Sequence, residues 1–381
     1  MANRKVIELG VVCGLFLGFF WSIGPAGAAP PGLEDSITAV DAAMGPSGAA
    51  RAEWKVFAAI SSGNLTVFPV TATAWSGTSD FITLDEGLRS GKVVVTELGA
   101  GQESRGRQSR DRAEVNTLSL TNKSGRTLIL LAGEMLIGGK QDRIVDRDQL
   151  VPPDDFPMAL NVFCVEHGRW QGASRAFGQN QTEHSPQVPG ARNLFGSGGG
   201  GSAGQIATPA VREKAEAGKD QNEVWSKVAE TTRVLKATSS TGALTRAYDD
   251  GSIARQTKVY ESQIKYRVQG NTVVGVVVAV NGRPVAADIF ASPSLFQRYW
   301  PKLLKSYVLE ALSSRGIKSG AIDRAAAESF LYRRDGNSSS EGKNDIYRLT
   351  ERKAGGESSF ELEYLAAAHP ILIHFNRIAS S

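Results

Sequence analysis

The sequence predicts an α+β fold with a β-rich N-terminal half, central helices, C-terminal strands and one mixed or antiparallel core. Three observations carry this. Short β-branched or alternating runs bounded by Gly, Asn and Ser fill the chain from Leu65 to Val165. Apolar residues recur at helical spacing from Pro209 to Val268 and again from Ser294 to Arg334. Strand patterns return at Tyr347–Arg352, Ser359–Tyr364 and Ile371–Phe375, so no regular strand–helix alternation develops. At 41% hydrophobic and 22% charged over 381 residues, the composition is that of a folded globular protein.

Residues 1–28 read as a signal peptide. Arg4 and Lys5 precede an apolar run, Val6–Phe20, broken by Glu8 and shorter than the about 20 residues a membrane span needs. Ala26-Gly27-Ala28 supplies a small-residue cleavage pattern. Export to the periplasm or exterior, with cleavage after Ala28, is expected; an uncleaved anchor is the alternative. Cleavage removes two basic residues and one acidic, taking the formal charge from +4 to +3. A nucleic-acid partner would need that mild charge gathered on one face. The dense cluster Arg105, Arg107, Arg110 and Arg112 is interleaved with Glu103 and Asp111 and reads as a solvated hairpin loop. Neither a nucleic-acid partner nor a stable membrane span after cleavage is expected. Cleavage also leaves Cys164 as the lone cysteine, so no intramolecular disulfide braces the fold.

Residues 29–52, rich in Ala, Gly and Pro, read as a flexible tether, and 53–378 as one domain. Strands are expected at Leu65–Val70, Lys92–Leu98, Glu114–Thr121 and Thr127–Leu131, with a turn at Asn122–Gly125 and one helical turn at Leu84–Ser90. After Trp170 the pattern stops. Residues 171–207 include SGGGGSAG and have few large apolar groups to offset their ordering entropy, which predicts a disordered loop; a lid is the alternative. Helices follow at Pro209–Ala217 (capped by Thr208), Asn222–Lys236 and Ile253–Val268, the last with Val259, Tyr260 and Ile264 on one side. VVGVVVAV (Val273–Val280) reads as a buried strand, turned by Asn281-Gly282 into Pro284–Phe290. Ser292 and Pro293 open a helix over Ser294–Ser313, which Pro301 kinks or truly starts. Ala321–Arg334 is a further helix and Asp335–Lys343 a polar loop.

The functional stretch is Leu131–Trp170, where charged side chains crowd the ends of short apolar runs. Such charges are costly unless they pair or meet a ligand. Glu134 and Glu166 each follow an apolar strand and each has a guanidinium nearby in sequence, Arg143 and Arg169. The plainest reading is a pair of structural Glu–Arg bridges with Trp170 stacked on an arginine. The alternatives are ligand binding, or catalysis with the two carboxyls as acid and base. Lys140, Gln141 and Arg143 offer an ammonium, an amide and a guanidinium suited to a phosphate or carboxylate, and Asp288 is a candidate to join them. Gly138-Gly139-Lys140 is a hairpin turn rather than a phosphate loop, because Gln141 follows the lysine and Glu134 stands where the first glycine is required. With no CxxC or HExxH, no metal is expected, and no cofactor can be named. Cys164 reads as a buried structural thiol.

GEMLIGGKQDR (Gly133–Arg143), followed by CVEHGRW (Cys164–Trp170), resembles a family of largely uncharacterised proteins named for association with ADP-ribosylglycohydrolase and rhodanese-phosphatase proteins. VVGVVVAVNGRPVAADIF and the aromatic helix Phe296–Tyr307 resemble its second block. The resemblance brings no established mechanism; by association it implies ADP-ribose- or NAD-derived ligands. The expected function is therefore binding of a small anionic, nucleotide- or sugar-derived ligand in a polar pocket built from 131–170. A two-carboxylate hydrolase and a structural or interaction module of the cell envelope are the alternatives.

Overall fold

The computed structural model describes residues 53–98, 116–168, 177–178, 204–316, 320–343 and 345–380. The leader, the tether, the arginine cluster and most of the 171–207 loop lie outside the described residues.

In chain order the N-terminal strands are β1 (Trp54–Val56), β2 (Ile60–Ser62), β3 (Leu65–Ala72), β4 (Phe81–Thr83), β5 (Val93–Glu97), β6 (Thr117–Asn122) and β7 (Thr127–Leu130). There follow β8 (Met135–Gly138), β9 (Arg143–Val145), β10 (Gln149–Val151), β11 (Asp154–Cys164) and β12 (Phe177–Gly178). The C-terminal strands are β13 (Val273–Val280), β14 (Arg283–Phe290), β15 (Asn337–Lys343), β16 (Tyr347–Ala354), β17 (Glu357–Tyr364) and β18 (Ile371–Ala379). Helices are α1 (Leu84–Arg89), α2 (Pro209–Glu213), α3 (Gln221–Val234), α4 (Thr245–Asp249), α5 (Gly251–Ile264), α6 (Pro293–Ser313) and α7 (Arg324–Tyr332). This is the expected α+β class.

β13 is buried at every position and lies inside the largest sheet, ordered β1-β3-β13-β14-β18-β17-β16-β15 with β2 on β3. Its uninterrupted apolar run follows from having a core on both faces. On one face Val276 and Val278 pack with Leu295, Phe296, Tyr299 and Leu303 of α6. On the other, Val274 and Val277 pack with Ala327, Phe330 and Leu331 of α7. The β13–β14 hairpin closes through Asn281 and Gly282, both at positive φ (53° and 78°), as a type I′ turn requires.

Two smaller sheets, β10-β7-β4 and β12-β8-β9-β11-β6-β5, share a core of Leu128, Leu130, Leu136, Val145 and Leu160. Among the described residues all strand pairs are antiparallel except β4 with β7, which makes the architecture mixed. β8 is buried on both sides, since Met135 and Ile137 meet Val211 of α2 and Val224 and Val228 of α3. That strand leads away from the site.

Three expectations are corrected, and for the helix opened by Ser292 the expected span holds and one alternative is removed. Residues 337–343 form β15 rather than part of a polar loop, because the whole segment pairs along β16 although its side chains are polar. α2 stops at Glu213 and continues as a π-helical turn, Lys214–Gly218, and the Thr208 side chain makes no cap bond. α5 ends at Ile264, with Ile253, Thr257, Tyr260 and Ile264 as its buried stripe and Val259 exposed. α6 runs through Pro301 as one helix opened by Ser292, whose Oγ accepts from Leu295 N at 3.1 Å. Among the described residues no helix is long and apolar enough to cross a membrane.

Candidate functional site

The turn Leu131-Ala132-Gly133-Glu134 joins β7 to β8, and buried charges meet around it. Glu134 Oε2 accepts from Leu131 N at 2.8 Å, and Asp148 Oδ1 accepts from Ala132 N at 2.8 Å. Gly133 N donates to Val145 O at 2.9 Å, and Gly133 O accepts from Ala207 N at 2.8 Å. Gly133 holds φ +82°, and a Cβ there would lie 2.5 Å from Arg212 Cγ. Glycine meets both demands at once: left-handed backbone and close approach of a buried guanidinium.

The second oxygen of Glu134 accepts from Lys302 Nζ, which also donates to Asp85 Oδ2 at 3.1 Å. Lys302 comes from α6 and Asp85 from α1, and the ammonium sits 4.5 Å from the Tyr299 ring centroid. Burying two carboxyls and one cation is tolerable only with these bonds in place. Burial pushes the Glu134 pKa up, and the negative charge of Asp85 adds to this against the pull of Lys302. Burial alone would lower the Lys302 pKa, but the two acids raise it.

A second network begins at Arg212 of α2. Its Nη2 and Nη1 donate to Asp288 Oδ1 and Oδ2 at 2.9 and 3.2 Å, a bidentate pair. Tyr307 OH donates to the same carboxylate, and His374 Nε2 lies 3.2 Å from Asp288 Oδ1. Strand register puts these groups together: Asp288 pairs with Asn376 and Phe290 with His374 across β14 and β18. The other imidazole nitrogen, Nδ1, bonds Asp148, and the ring packs 4.5 Å from Phe290. Asn376 Nδ2 donates to Glu216 Oε2 at 3.2 Å, and Glu216 rides on the π-helical turn, an irregularity that recurs at functional sites.

These partners divide the acids into two kinds. Burial would raise Asp288, but Arg212 and His374 outweigh it and hold the carboxyl far below the usual range. Burial and the charge of Asp148 together push Glu216 well up, favouring its protonated form. Burial would lower His374, but Asp148 and Asp288 raise it to about 9, so it is an imidazolium at neutral pH. Arg212 Nε, Glu216 Oε1, Asn376 Oδ1 and Asp85 Oδ1 are buried with no hydrogen-bond partner among the described residues.

The expected site residues fall at two ends of β8. Glu134 joins the turn, with Asp288 in the adjoining network. At the β8–β9 tip, roughly 13 Å of strand away at about 3.3 Å per residue, Glu166 Oε2 accepts from Asp142 N at 3.1 Å. There Gln141 Oε1 accepts from the Cys164 thiol at 3.1 Å, and Arg143 Nη1 lies 3.7 Å from its sulfur. Burial raises the Cys164 pKa, as a structural thiol requires. Lys140 is exposed, with its backbone N–H on Glu97 Oε1 at 2.6 Å. Arg169 and Trp170 lie outside the described residues. Glu134 thus takes its cation from Lys302, in place of the local arginine expected from the sequence. Among the described residues, no group of three or more His, Cys, Asp or Glu is placed to hold a metal.

Lys302, Arg212, Asp148, Glu216 and Asp85 had not been singled out. For Lys302 a signal was present: it stands seven residues from both Leu295 and Leu309, on the apolar stripe of its helix. Residues 53–369 match the ARG and Rhodanese-Phosphatase-superfamily-associated Protein domain, ARPP-1. The chain belongs to this family. No curated protein and no solved structure gives a significant match. In this ARPP-1 domain the blocks that carry the resemblance supply Gly133, Glu134 and Asp288 to the buried centre, and the aromatic helix supplies Tyr299, Lys302 and Tyr307.

Proposed function

We propose that this protein is an exported ARPP-1 domain that binds a small anionic ligand, nucleotide- or sugar-derived, at the buried polar centre between Glu134 and Asp288. The observation behind the reading is that Arg212 Nε, Glu216 Oε1 and Asn376 Oδ1 lie buried in one network with no hydrogen-bond partner among the described residues. Folded interiors pair such atoms with protein, water or ligand. The Arg212 N–H and a protonated Glu216 are both donors, and donors suit an anion. Glu134, engaged by Lys302, and Glu166, at the far end of β8, are not assigned as an acid–base pair.

The test is a thermal-shift screen of the full chain against ADP-ribose, NAD, nucleoside phosphates, sugar phosphates and inorganic phosphate. A ligand at a hundredfold excess over its Kd adds about 2.7 kcal/mol to stability. A second reading, a structural module of the cell envelope, draws on the pairing of Lys302, Arg212 and His374 with carboxyl groups inside the protein. That reading prevails if no panel member moves the melting temperature while Glu134→Gln and Lys302→Met unfold the chain.

A further inference from the structure

A cleft of 320 Å³ opens between the Trp75–Thr78 segment and the start of α6, lined by none of the residues of the buried centre. Trp75, Asn271 and Gln297 stand at its mouth over Thr78, Ser292 and Ser294, and no charged residue lines it. The Trp75 indole is 50% exposed, while Asn271 and Gln297 stand exposed beside it. From these features we propose that the cleft binds a neutral carbohydrate, with the apolar C–H face of a sugar ring against Trp75 and its hydroxyls met by Asn271 and Gln297. This site is independent of the anion-binding proposal.

The chemistry follows from what lines the cleft. An indole offers a broad apolar face with a polar edge, and amide side chains both donate and accept, which matches hydroxyls that do both. The helix start is not an anion site here. Ser292 Oγ already caps Leu295 N at 3.1 Å, and no cation lines the cleft to neutralise a phosphate or carboxylate. Thr78, Ser292 and Ser294 bond one another through their hydroxyls, Thr78 to Ser292 at 2.7 Å and Ser292 to Ser294 at 3.0 Å. Gln297 Nε2 donates to Gly270 O at 3.5 Å, a long bond at the exposed rim, so the Asn271 amide, the Gln297 Oε1 and the indole are left for a guest.

The cleft is also preformed. Ser76 N donates to Ala291 O at 3.0 Å, tying the loop to the end of β14. From below, Arg298 donates to Thr78 O at 3.3 Å, Phe81 O at 3.2 Å and Glu86 Oε2 at 3.1 Å. A loop fixed at both sides loses little entropy on binding. A volume of 320 Å³ lies at the lower end of ligand pockets, roughly 300–1,000 Å³, and suits a short saccharide rather than a large cofactor.

The experiment is titration of the full chain with chitohexaose, maltohexaose, cellohexaose and a polygalacturonate oligomer, followed by tryptophan fluorescence and calorimetry. Saturable binding of a neutral oligosaccharide is expected, weakened at least tenfold in Trp75→Ala and in an Asn271→Ala/Gln297→Ala double variant, with melting temperatures unchanged. Trp75→Phe, which keeps an aromatic face, should retain part of the affinity. The proposal is overturned if no neutral oligosaccharide binds, if the acidic oligomer binds more tightly than the neutral ones, or if the variants bind like the parent chain.

Discussion

Lys302 donates to Glu134 across 168 positions of sequence, with both side chains fully buried. The bond joins the long helix to the turn from which β8 starts, and Asp85 completes it from a third element. Removing the cation leaves two buried carboxyls facing each other. Lys302→Met is therefore expected to destabilise the protein by about 3–5 kcal/mol, the usual loss when one partner of a buried pair is deleted. Glu134→Gln keeps an acceptor for Leu131 N–H but turns its amide NH2 toward the Lys302 ammonium, which keeps Asp85 as its partner, so it should lose less, about 1–3 kcal/mol. Urea denaturation of both variants checks the order; equal or reversed losses contradict the pairing.

Gly133 faces a second constraint. An alanine there would need left-handed backbone, costing about 1–3 kcal/mol, and would press on Arg212 Cγ at 2.5 Å. Gly133→Ala should lower the melting temperature and disturb the Arg212–Asp288 pair, visible as a shifted guanidinium signal by NMR. A variant with unchanged stability would show that the turn has another conformation.

Much of the fold was legible because its causes are local. The β13–Asn281-Gly282–β14 hairpin, the Ser292 cap and the apolar stripe of α6 each declare themselves within a few residues. β15 did not, since Asn337–Lys343 owes its strand to pairing with β16 rather than to its own side chains. β4 and β10, three residues each, are too short for any periodicity to register. The site divides in the same way. Glu134 and Asp288 stood out as charges at or near the ends of apolar strands, whereas Arg212 and His374 became visible as partners only through the β14–β18 register and the packing of α2.

His374 sets a pH dependence. Its folded pKa of about 9 lies above the 6.5 of an ordinary imidazole, so the folded state binds the proton more tightly. The stabilisation is complete below about pH 6.5 and is lost as pH rises through about 9. Glu216, an acid raised by burial, acts in the same sense: its contribution is present below 4.5 and falls as pH rises. Unfolding midpoints should thus decline between pH 6.5 and about 9, and His374→Gln should flatten that slope. An unchanged slope in the variant would rule out His374 as its source.

Cys164 is fully buried, with its thiol raised by burial and bonded to Gln141. Iodoacetamide at neutral pH should leave the Cys164 peptide unmodified in the native protein and alkylate it after denaturation. Stoichiometric labelling of the native chain would show an accessible, activated thiol instead.

The location of the ligand is tested most directly by calorimetric titration of the strongest anionic binder into the parent chain, Glu216→Ala and Lys140→Ala. Binding at the buried centre predicts at least a tenfold loss of affinity in Glu216→Ala, which removes the donor, and less than a twofold change in Lys140→Ala. The reverse pattern would move the site to the β8–β9 tip, and no binding by any anion of the panel would contradict a ligand site altogether.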